Sequence, residues 1–265
     1  ISQQTFTSDL SPRELTALRG IDYEPVGQAF GTSTLAVNRQ QATLQSPAPF
    51  GGGMWAPWPI RGYFDGELRS RQRALRRMQV ECRQLGGSGV VGVRTLRSTL
   101  SAGLYEHTVI GTAVRQRHTA VEGTPFLTSL NGSDFASLAR SGWLPVTVVL
   151  SMVRWTVGFG GRPGTVLGPS SWAFPQAELE SLSRLQNQAR IQAREQLARQ
   201  TRAASADGML LHQLESRWER EENRYHIDVE AYGSAVVHRR SPSSDRALRD
   251  LGPVVRLETA DAVGY

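Results

Sequence analysis

The chain has 265 residues, of which 39% are hydrophobic and 20% charged, so it is globular in type and long enough for two small domains. Its 30 basic residues are all arginine, and the net charge of +6 is modest for this length. No apolar run approaches the roughly 20 residues that a membrane helix needs. The single cysteine, Cys82, excludes a disulfide framework or a thiolate metal cluster within one chain, and a reducing, cytoplasmic setting is expected.

The first predicted element is a short helix that begins at Ser11. The run Ser11-Pro12-Arg13-Glu14 is a capping box with proline at the first helical position. Gly20 is expected to end this helix in the left-handed conformation that glycine adopts readily. An extended run rich in Gly, Thr and Ser then follows over residues 26–37.

A loop is predicted over residues 46–63, because prolines and glycines interrupt any regular pattern there. Its apolar content is unusual for a loop and includes Trp55 and Trp58. Since loops normally lie on the surface, we expect these side chains to be buried against the next helix or a second subunit. A ligand-binding or membrane-surface patch is the alternative.

The clearest pattern in the chain is a long amphipathic helix over residues 67–85. Its apolar positions recur at helical spacing, while arginine, glutamine and glutamate fill the other faces. The apolar stripe consists of Leu75, Met78, Cys82 and Leu85.

A glycine-rich turn and two strands follow this helix. The turn covers residues 86–89, the strands cover 90–96 and 105–114, and the hairpin loop covers 98–103. Gly92 and Gly111 lie inside the strands, which indicates close approach by another backbone at a sheet edge or a subunit seam.

The same order of elements returns about 120 residues later, which is typical of an internal duplication. Matching pairs at this offset include Leu10 with Leu130, Glu14 with Asp134, and Pro25 with Pro145. The second unit is predicted as a helix over 176–203, a turn over 204–208, and strands over 209–214 and 225–237 with a charged loop over 217–224.

Two domains and a tail follow from this pattern, at residues 1–118, 127–240 and 241–265. In the second unit Trp172 again precedes the long helix, and Gly233 takes the place of Gly111. Ser88 and Asp207 match in the two turns, where we expect both to bond nearby backbone rather than act in catalysis.

Two runs in the first unit resemble the YbjQ-like family, also called UPF0145. They are Leu85-Gly86-Gly87-Ser88-Gly89-Val90-Val91-Gly92-Val93 and Val109-Ile110-Gly111-Thr112-Ala113-Val114. The second unit is similar at Ala206-Asp207-Gly208-Met209-Leu210 and Gly233-Ser234-Ala235-Val236, although it lacks the apolar Val-Gly pair. The resemblance covers most of both units but not the tail.

This resemblance implies an α+β fold, with two tandem domains that each pack a long helix on a small, mainly antiparallel sheet. It also implies cyclic pentamers, and two stacked pseudo-equivalent rings are the simplest closed arrangement for two domains per chain. Six residues are candidates for contacts between subunits: Trp55, Trp58, Gly92, Gly111, Trp172 and Gly233.

The family's heavy-metal label requires converging donors, and one group of side chains could supply them. His226, Asp228 and Glu230 share a strand face, and His212 lies on the preceding strand of the same hairpin. Imidazole and carboxylate are ligands for divalent metals. A solvated polar strand face explains the same group equally well, and no other cofactor is expected.

No pattern for enzymatic chemistry stands out in the sequence. There is no Gly-x-Ser-x-Gly elbow, and the glycine runs lack the Lys-Ser/Thr that follows a phosphate loop. The arginines of the first long helix fall on several faces, so nucleic acid is not an expected partner. The sequence therefore favours a non-enzymatic, ring-forming assembly or scaffold protein that associates with itself. The alternative is a metal or small-ligand binding protein with sites at a ring pore or subunit interface.

Overall fold

The structure, a computed structural model, describes residues 7–37, 57–117, 123–158, 180–221 and 224–238. Trp55, Trp172 and the tail from residue 241 lie outside the described residues. The helices and strands, in chain order, are α1 (Pro12–Arg19), β1 (Tyr23–Ala36), β2 (Trp58–Ile60), α2 (Asp65–Gln84), β3 (Gly89–Ser101), β4 (Leu104–Gln116), β5 (Phe126–Leu127), α3 (Gly132–Arg140), β6 (Trp143–Gly158), α4 (Glu180–Ala203), β7 (Gly208–Glu221) and β8 (Arg224–His238).

These elements form two four-stranded sheets, so the fold is α+β. The strand orders are β1-β4-β3-β5 in one sheet and β2-β6-β8-β7 in the other. The long strands pair antiparallel, whereas β5 pairs with β3 in parallel. We call residues 7–117 the first half and residues 123–238 the second half. Because β5 belongs to the second half and β2 to the first, each sheet takes its short strand from the other half.

Helix α1 begins as its sequence predicts but ends differently. The Ser11 Oγ accepts a hydrogen bond from the Glu14 N–H at 3.3 Å, and Glu14 Oε2 accepts one from the Ser11 N–H at 2.8 Å. Gly20 has φ −69°, so the expected left-handed cap is wrong. The left-handed residue is Asp22, with φ 60°, which an aspartate side chain tolerates better than most.

The strands are longer than the apolar pattern predicts. Strand β3 continues to Ser101 and β7 to Glu221, through residues that we expected in hairpin loops. In the second part of each strand the side chains are mostly exposed and polar. The strand continues there because its backbone still pairs with the neighbouring strand, although it buries no apolar face. Likewise, residues 58–60 in the expected loop form β2, where Pro59 is tolerated because β2 is an edge strand.

Helix α2 lies directly on strand β1. Leu75, Met78 and Cys82 are buried as predicted, but Leu85 is 38% exposed because it caps the helix outside the buried stripe. A Cβ added to Gly31 would lie 1.9 Å from the Ala74 carbonyl oxygen. Glycine at this position therefore sets how closely the helix approaches the strand.

Helix side chains also bind the backbone at the outer edges of β1 and β6. The Phe30 N–H donates to Glu81 Oε2 at 2.7 Å, and the Leu150 N–H donates to Gln200 Oε1 at 3.1 Å. These contacts cover the middle of each strand edge, which would otherwise expose unpaired backbone groups. Among the described residues, no helix combines the length and apolar character that crossing a bilayer requires.

We expect Gly31→Ala to lower the free energy of unfolding by about 3 kcal/mol, because the new methyl group would overlap the backbone of α2. Gly27→Ala is the matched control on the same strand. Its Cβ would lie 3.4 Å from Leu85 Cδ1, in a side chain that can move, so we expect a change of about 0.5 kcal/mol or less. Urea unfolding followed by circular dichroism measures both, and equal effects would contradict the packing argument.

Candidate functional site: the junction between the two halves

The first contact across the junction is made by residues 126–130, which line the edge of β3. The Thr128 N–H donates to the Val90 carbonyl at 2.9 Å, and the Val93 N–H donates to the Thr128 carbonyl at 2.9 Å. The Gly92 N–H donates to the Leu130 carbonyl at 2.7 Å. Gly92 has φ +66° and sits in an irregularity of β3, which turns two successive N–H groups towards the second half.

The reciprocal contact is made by β2, which pairs with β6 from Trp58 opposite Thr156 to Ile60 opposite Arg154. The chain after β2 packs Tyr63 and Phe64 against Met152 of the second half. The Arg154 guanidinium carbon also lies 4.0 Å from the centre of the Tyr63 ring, a cation–π contact.

Apolar side chains join the two halves on both faces of the first sheet. On the inner face, the first half's core includes Val148, Leu150 and Tyr232 of the second half. On the outer face, Leu18 of α1 and Phe135 of α3 bury Val91 and Val114. The junction therefore buries apolar side chains on both faces of the first sheet, and this burial favours its stability.

Hydrogen bonds at the helix starts support this outer layer. Glu14 Oε1 accepts the Gly132 N–H at 3.1 Å, which joins α1 to the start of α3. Burial alone would raise the pKa of the Glu14 carboxyl, but hydrogen bonds from Ser11 and Gly132 outweigh it and lower the pKa.

Two buried arginines pair with acidic residues at the junction. Arg71 of α2 binds Glu230 of β8 across the junction. Arg154 binds Asp228 through Nε at 2.6 Å and through Nη2 at 2.7 Å. Burial alone would lower the pKa of Arg154, but the Asp228 carboxylate outweighs it and raises the pKa. Arg154 therefore stays charged inside the structure.

His107 is a buried side chain beside these charges. Within the part of the chain that the structure describes, neither ring nitrogen has a hydrogen-bond partner. Burial, helped by the positive charges of Arg71 and Arg97, lowers the pKa of His107 to about 4. The imidazole is therefore neutral at pH 7.

The four residues predicted as metal ligands lie on the neighbouring strands β7 and β8, but their side chains have other partners. Asp228 is bound by Arg154 and Glu230 by Arg71. His226 is buried, with Nδ1 bound to Thr156, and His212 is exposed with its ring centre 5.2 Å from that of Tyr232. In the described ranges, no three His, Cys, Asp or Glu side chains are grouped to hold a metal ion. The metal site thus stays a prediction from sequence.

The candidate subunit contacts fall into different places. Trp58 and Gly92 both lie at the junction between the halves. Gly111 and Gly233 instead face the irregular part of their own hairpins, where an added Cβ would lie 2.6 Å from Val90 Cγ1 or 2.1 Å from the Leu210 carbonyl oxygen. The missing side chain at these two positions leaves room for the neighbouring strand of the same sheet.

The two turn residues have the structural role that their positions suggest. Asp207 Oδ2 accepts the His238 N–H at 2.9 Å, and Ser88 Oγ accepts the Gln116 N–H at 3.3 Å. Cys82 is also structural, because burial raises the pKa of its thiol to about 12 and keeps it protonated.

Sequence reasoning missed the residues that build the junction, above all 126–130, Arg71 and Arg154. The sequence did contain a signal for residues 126–130, because Leu130 aligns with Leu10. Both leucines precede a helix start, and at the second one Asn131 Oδ1 accepts the Asp134 N–H at 2.9 Å. The arginines gave no signal, since nothing in their spacing separates a buried arginine from a solvated one.

The fold and the junction define a pair of helix-backed sheets that share strands. Comparisons with known proteins connect this fold to a family. Residues 27–117 match the model of the YbjQ family, which is described as "Putative heavy-metal-binding". This match confirms the predicted YbjQ resemblance for residues 27–117.

Two relatives extend this match. The chain is 32% identical over 158 residues to the encapsulin nanocompartment protein Rv1762c of Mycobacterium tuberculosis, and the match covers 56% of each chain. It is 29% identical over 98 residues to a UPF0145 protein of Enterococcus faecalis, covering 37% of this chain and 90% of the relative. The chain thus spans little more than half the length of the mycobacterial relative. Neither relative is named as an enzyme, in agreement with the absence of catalytic patterns in the sequence.

We expect acid to destabilise the protein through His107. Its pKa is about 4 when folded and about 6.5 when unfolded, so between these values the unfolded state binds a proton that the folded state does not. This contribution is complete above pH 6.5 and is lost as the pH falls towards 4. The loss is about 3 kcal/mol, at 1.36 kcal/mol per pKa unit.

His107→Leu tests this expectation, since Leu cannot take up a proton. The fall in unfolding free energy between pH 6.5 and 4.5 should shrink by about 2 kcal/mol relative to the natural chain. His212→Leu, an exposed control on β7, should leave the pH dependence nearly unchanged. Urea titrations at fixed protein concentration measure the difference, and an unaltered pH dependence in His107→Leu would show that other groups cause it.

Proposed function

We propose that this chain is a non-enzymatic protein whose function is to assemble with copies of itself into a closed structure. The exchange of short strands between the halves carries the proposal, because each sheet is completed by chain that lies outside its own half. A relative named as a nanocompartment protein supports it, since a compartment is built from many protein units. A cytoplasmic location remains part of this proposal.

The two halves are, in this proposal, tandem copies of one domain, at residues 1–118 and 127–240. Their long strands have the same order, β1-β4-β3 and β6-β8-β7. The helix starts at Ser11 and Asn131 are capped in the same way, and Ser88 and Asp207 make equivalent turn contacts. A duplicated unit that pairs with its copy within one chain can use the same surfaces between chains.

The closed structure that the YbjQ resemblance favours is a ring of five chains, with ten domains. Whether the domains form one ring or two stacked rings depends on which surfaces join the chains. Imaging of the particle distinguishes the two arrangements directly.

We expect the purified chain to behave as a multimer, with five copies as the expected number. Native mass spectrometry should give a mass near five times the 29.1 kDa of the chain. Light scattering over a range of protein concentrations provides the control, because a closed ring keeps one mass whereas loose aggregates do not. A single species at 29.1 kDa would contradict the assembly role.

The alternative proposal is a protein that binds a divalent metal through His212, His226, Asp228 and Glu230. The description of the matched family favours it. A metal would have to displace Arg154 from Asp228 and Arg71 from Glu230, so binding should loosen the junction. Elemental analysis after incubation with zinc, compared with the His212→Ala/His226→Ala double variant, tests it. One bound zinc per chain that the double variant loses would support the metal role, and equal zinc content in both would remove it.

A further inference from the structure

We propose that copies of this chain join head to tail, through the open edge of β7 in one copy and residues 7–10 of the next. This inference rests on the proposed self-assembly and names the surfaces that carry it. The proposed contact between copies has the same form as the contact within the chain, where residues 127–130 line the edge of β3. The occupant of the β7 edge is therefore a second copy of this chain.

The edge of β7 lacks the cover that the edge of β3 has. Val90 and Met209 occupy the same register, opposite Ala113 and Ala235 in the two hairpins. Val90 accepts the Thr128 N–H, whereas β7 is the outermost strand of its sheet among the described residues. One residue further on, Val91 is fully buried, and its counterpart Leu210 is only half-buried.

Residues 7–10 have the same local hydrogen bond as residues 127–130. The Leu130 N–H donates to Thr128 Oγ1 at 3.1 Å, and the Leu10 N–H donates to Ser8 Oγ at 3.0 Å. Both segments lead directly into a capped helix, at Ser11 and at Asn131.

Both segments also bind their own sheet at the same place. Ser129 Oγ lies 2.9 Å from Ser234 Oγ on β8, and Asp9 Oδ1 accepts the Thr112 hydroxyl at 3.0 Å on β4. Thr112 and Ser234 occupy equivalent positions, opposite Val91 and Leu210. Residues 7–10 therefore lie on the first half in the same way that residues 127–130 lie on the second half. The other side of residues 7–10 corresponds to the side of residues 127–130 that contacts β3.

The backbone of Ser8 supplies the complementary groups. In the internal contact, the N–H and carbonyl of Thr128 bind Val90 and Val93. Among the described residues, no hydrogen bond engages the N–H or carbonyl of Ser8, the counterpart of Thr128. Between copies, these two groups would bind the Met209 carbonyl and the His212 N–H.

The opposite end of the molecule carries the matching open surface. Strand β1 is the outer strand of its sheet, and residues 34–36 are the counterparts of the stretch of β6 that β2 covers. Phe30 is 40% exposed, whereas its counterpart Leu150 is 1% exposed because it packs in the core shared with the first half. The second half of a preceding copy would cover Phe30 in the same way.

The two edges differ at one position, in side chain and in backbone. Leu211 of β7 stands where β3 has Gly92, and it is 42% exposed. A Cβ added at Gly92 would meet nothing within 4 Å, so the internal contact leaves room for a side chain at this position. Leu211 does not share the positive φ of Gly92, so the N–H groups at this bulge of β7 would have to turn when the next copy binds.

A head-to-tail contact joins unlike surfaces, so it repeats from copy to copy, and it forms a ring when the rotation between copies closes. It places the two halves of every chain side by side in one ring, with first and second halves alternating. This arrangement differs from the two stacked rings that the sequence analysis expects.

Ser8→Pro tests the inference, with Ser8→Ala as the matched control. Proline removes the N–H that would bind β7 of the preceding copy, whereas alanine keeps it and loses only the hydroxyl. Native mass spectrometry should show the natural chain and Ser8→Ala as the same multimer. Ser8→Pro should dissociate at a protein concentration at least about tenfold higher, as expected for a loss of about 1.4 kcal/mol or more per contact.

Hydrogen exchange provides a second measurement. The His212 amide should be protected in the multimer and exchange rapidly in dissociated Ser8→Pro, whose circular dichroism should remain that of the natural chain. A Ser8→Pro multimer as stable as the natural one, or an unprotected His212 amide in the natural multimer, would overturn the inference and leave self-assembly through another surface. A natural chain that is monomeric would overturn both.

Discussion

The organisation of this protein depends on how the open edges of its two sheets obtain hydrogen-bond partners. An edge strand exposes a row of backbone N–H and carbonyl groups, which invites pairing with other chain segments. Here each sheet takes a short strand from the other half, β5 on β3 and β2 on β6. Because the exchange is reciprocal, neither half can move away without unpairing both edges.

The long helices address the same constraint by a different route. Glu81 of α2 and Gln200 of α4 bind backbone groups in the middle of β1 and β6. This contact requires each helix to lie close to a strand at the sheet edge, and in the first half Gly31 provides the space. The helices therefore protect one part of each edge and leave the ends of the strands for pairing.

The sequence predicted the elements that bury an apolar face and failed for those defined by backbone pairing. Helix α2, the buried start of β3 and the buried later part of β4 follow from periodic apolar residues. Strands β2 and β5 have only three and two residues, too few to show a period of two, and Pro59 argues against a strand.

The candidate site shows the same division. The predicted metal ligands His226, Asp228 and Glu230 all lie on β8, where alternation puts every second residue on one face. Alternation does not give the partner of each side chain. Asp228 pairs with Arg154 on the neighbouring strand, and Glu230 pairs with Arg71 across the junction. Removing such charges from water costs several kcal/mol per ion, so the apolar core must supply the net stability of the junction. The Arg71–Glu230 pair therefore serves mainly to fix the register of β8. A shift of one residue would turn Glu230 to the opposite face of β8 and leave Arg71 buried without its partner.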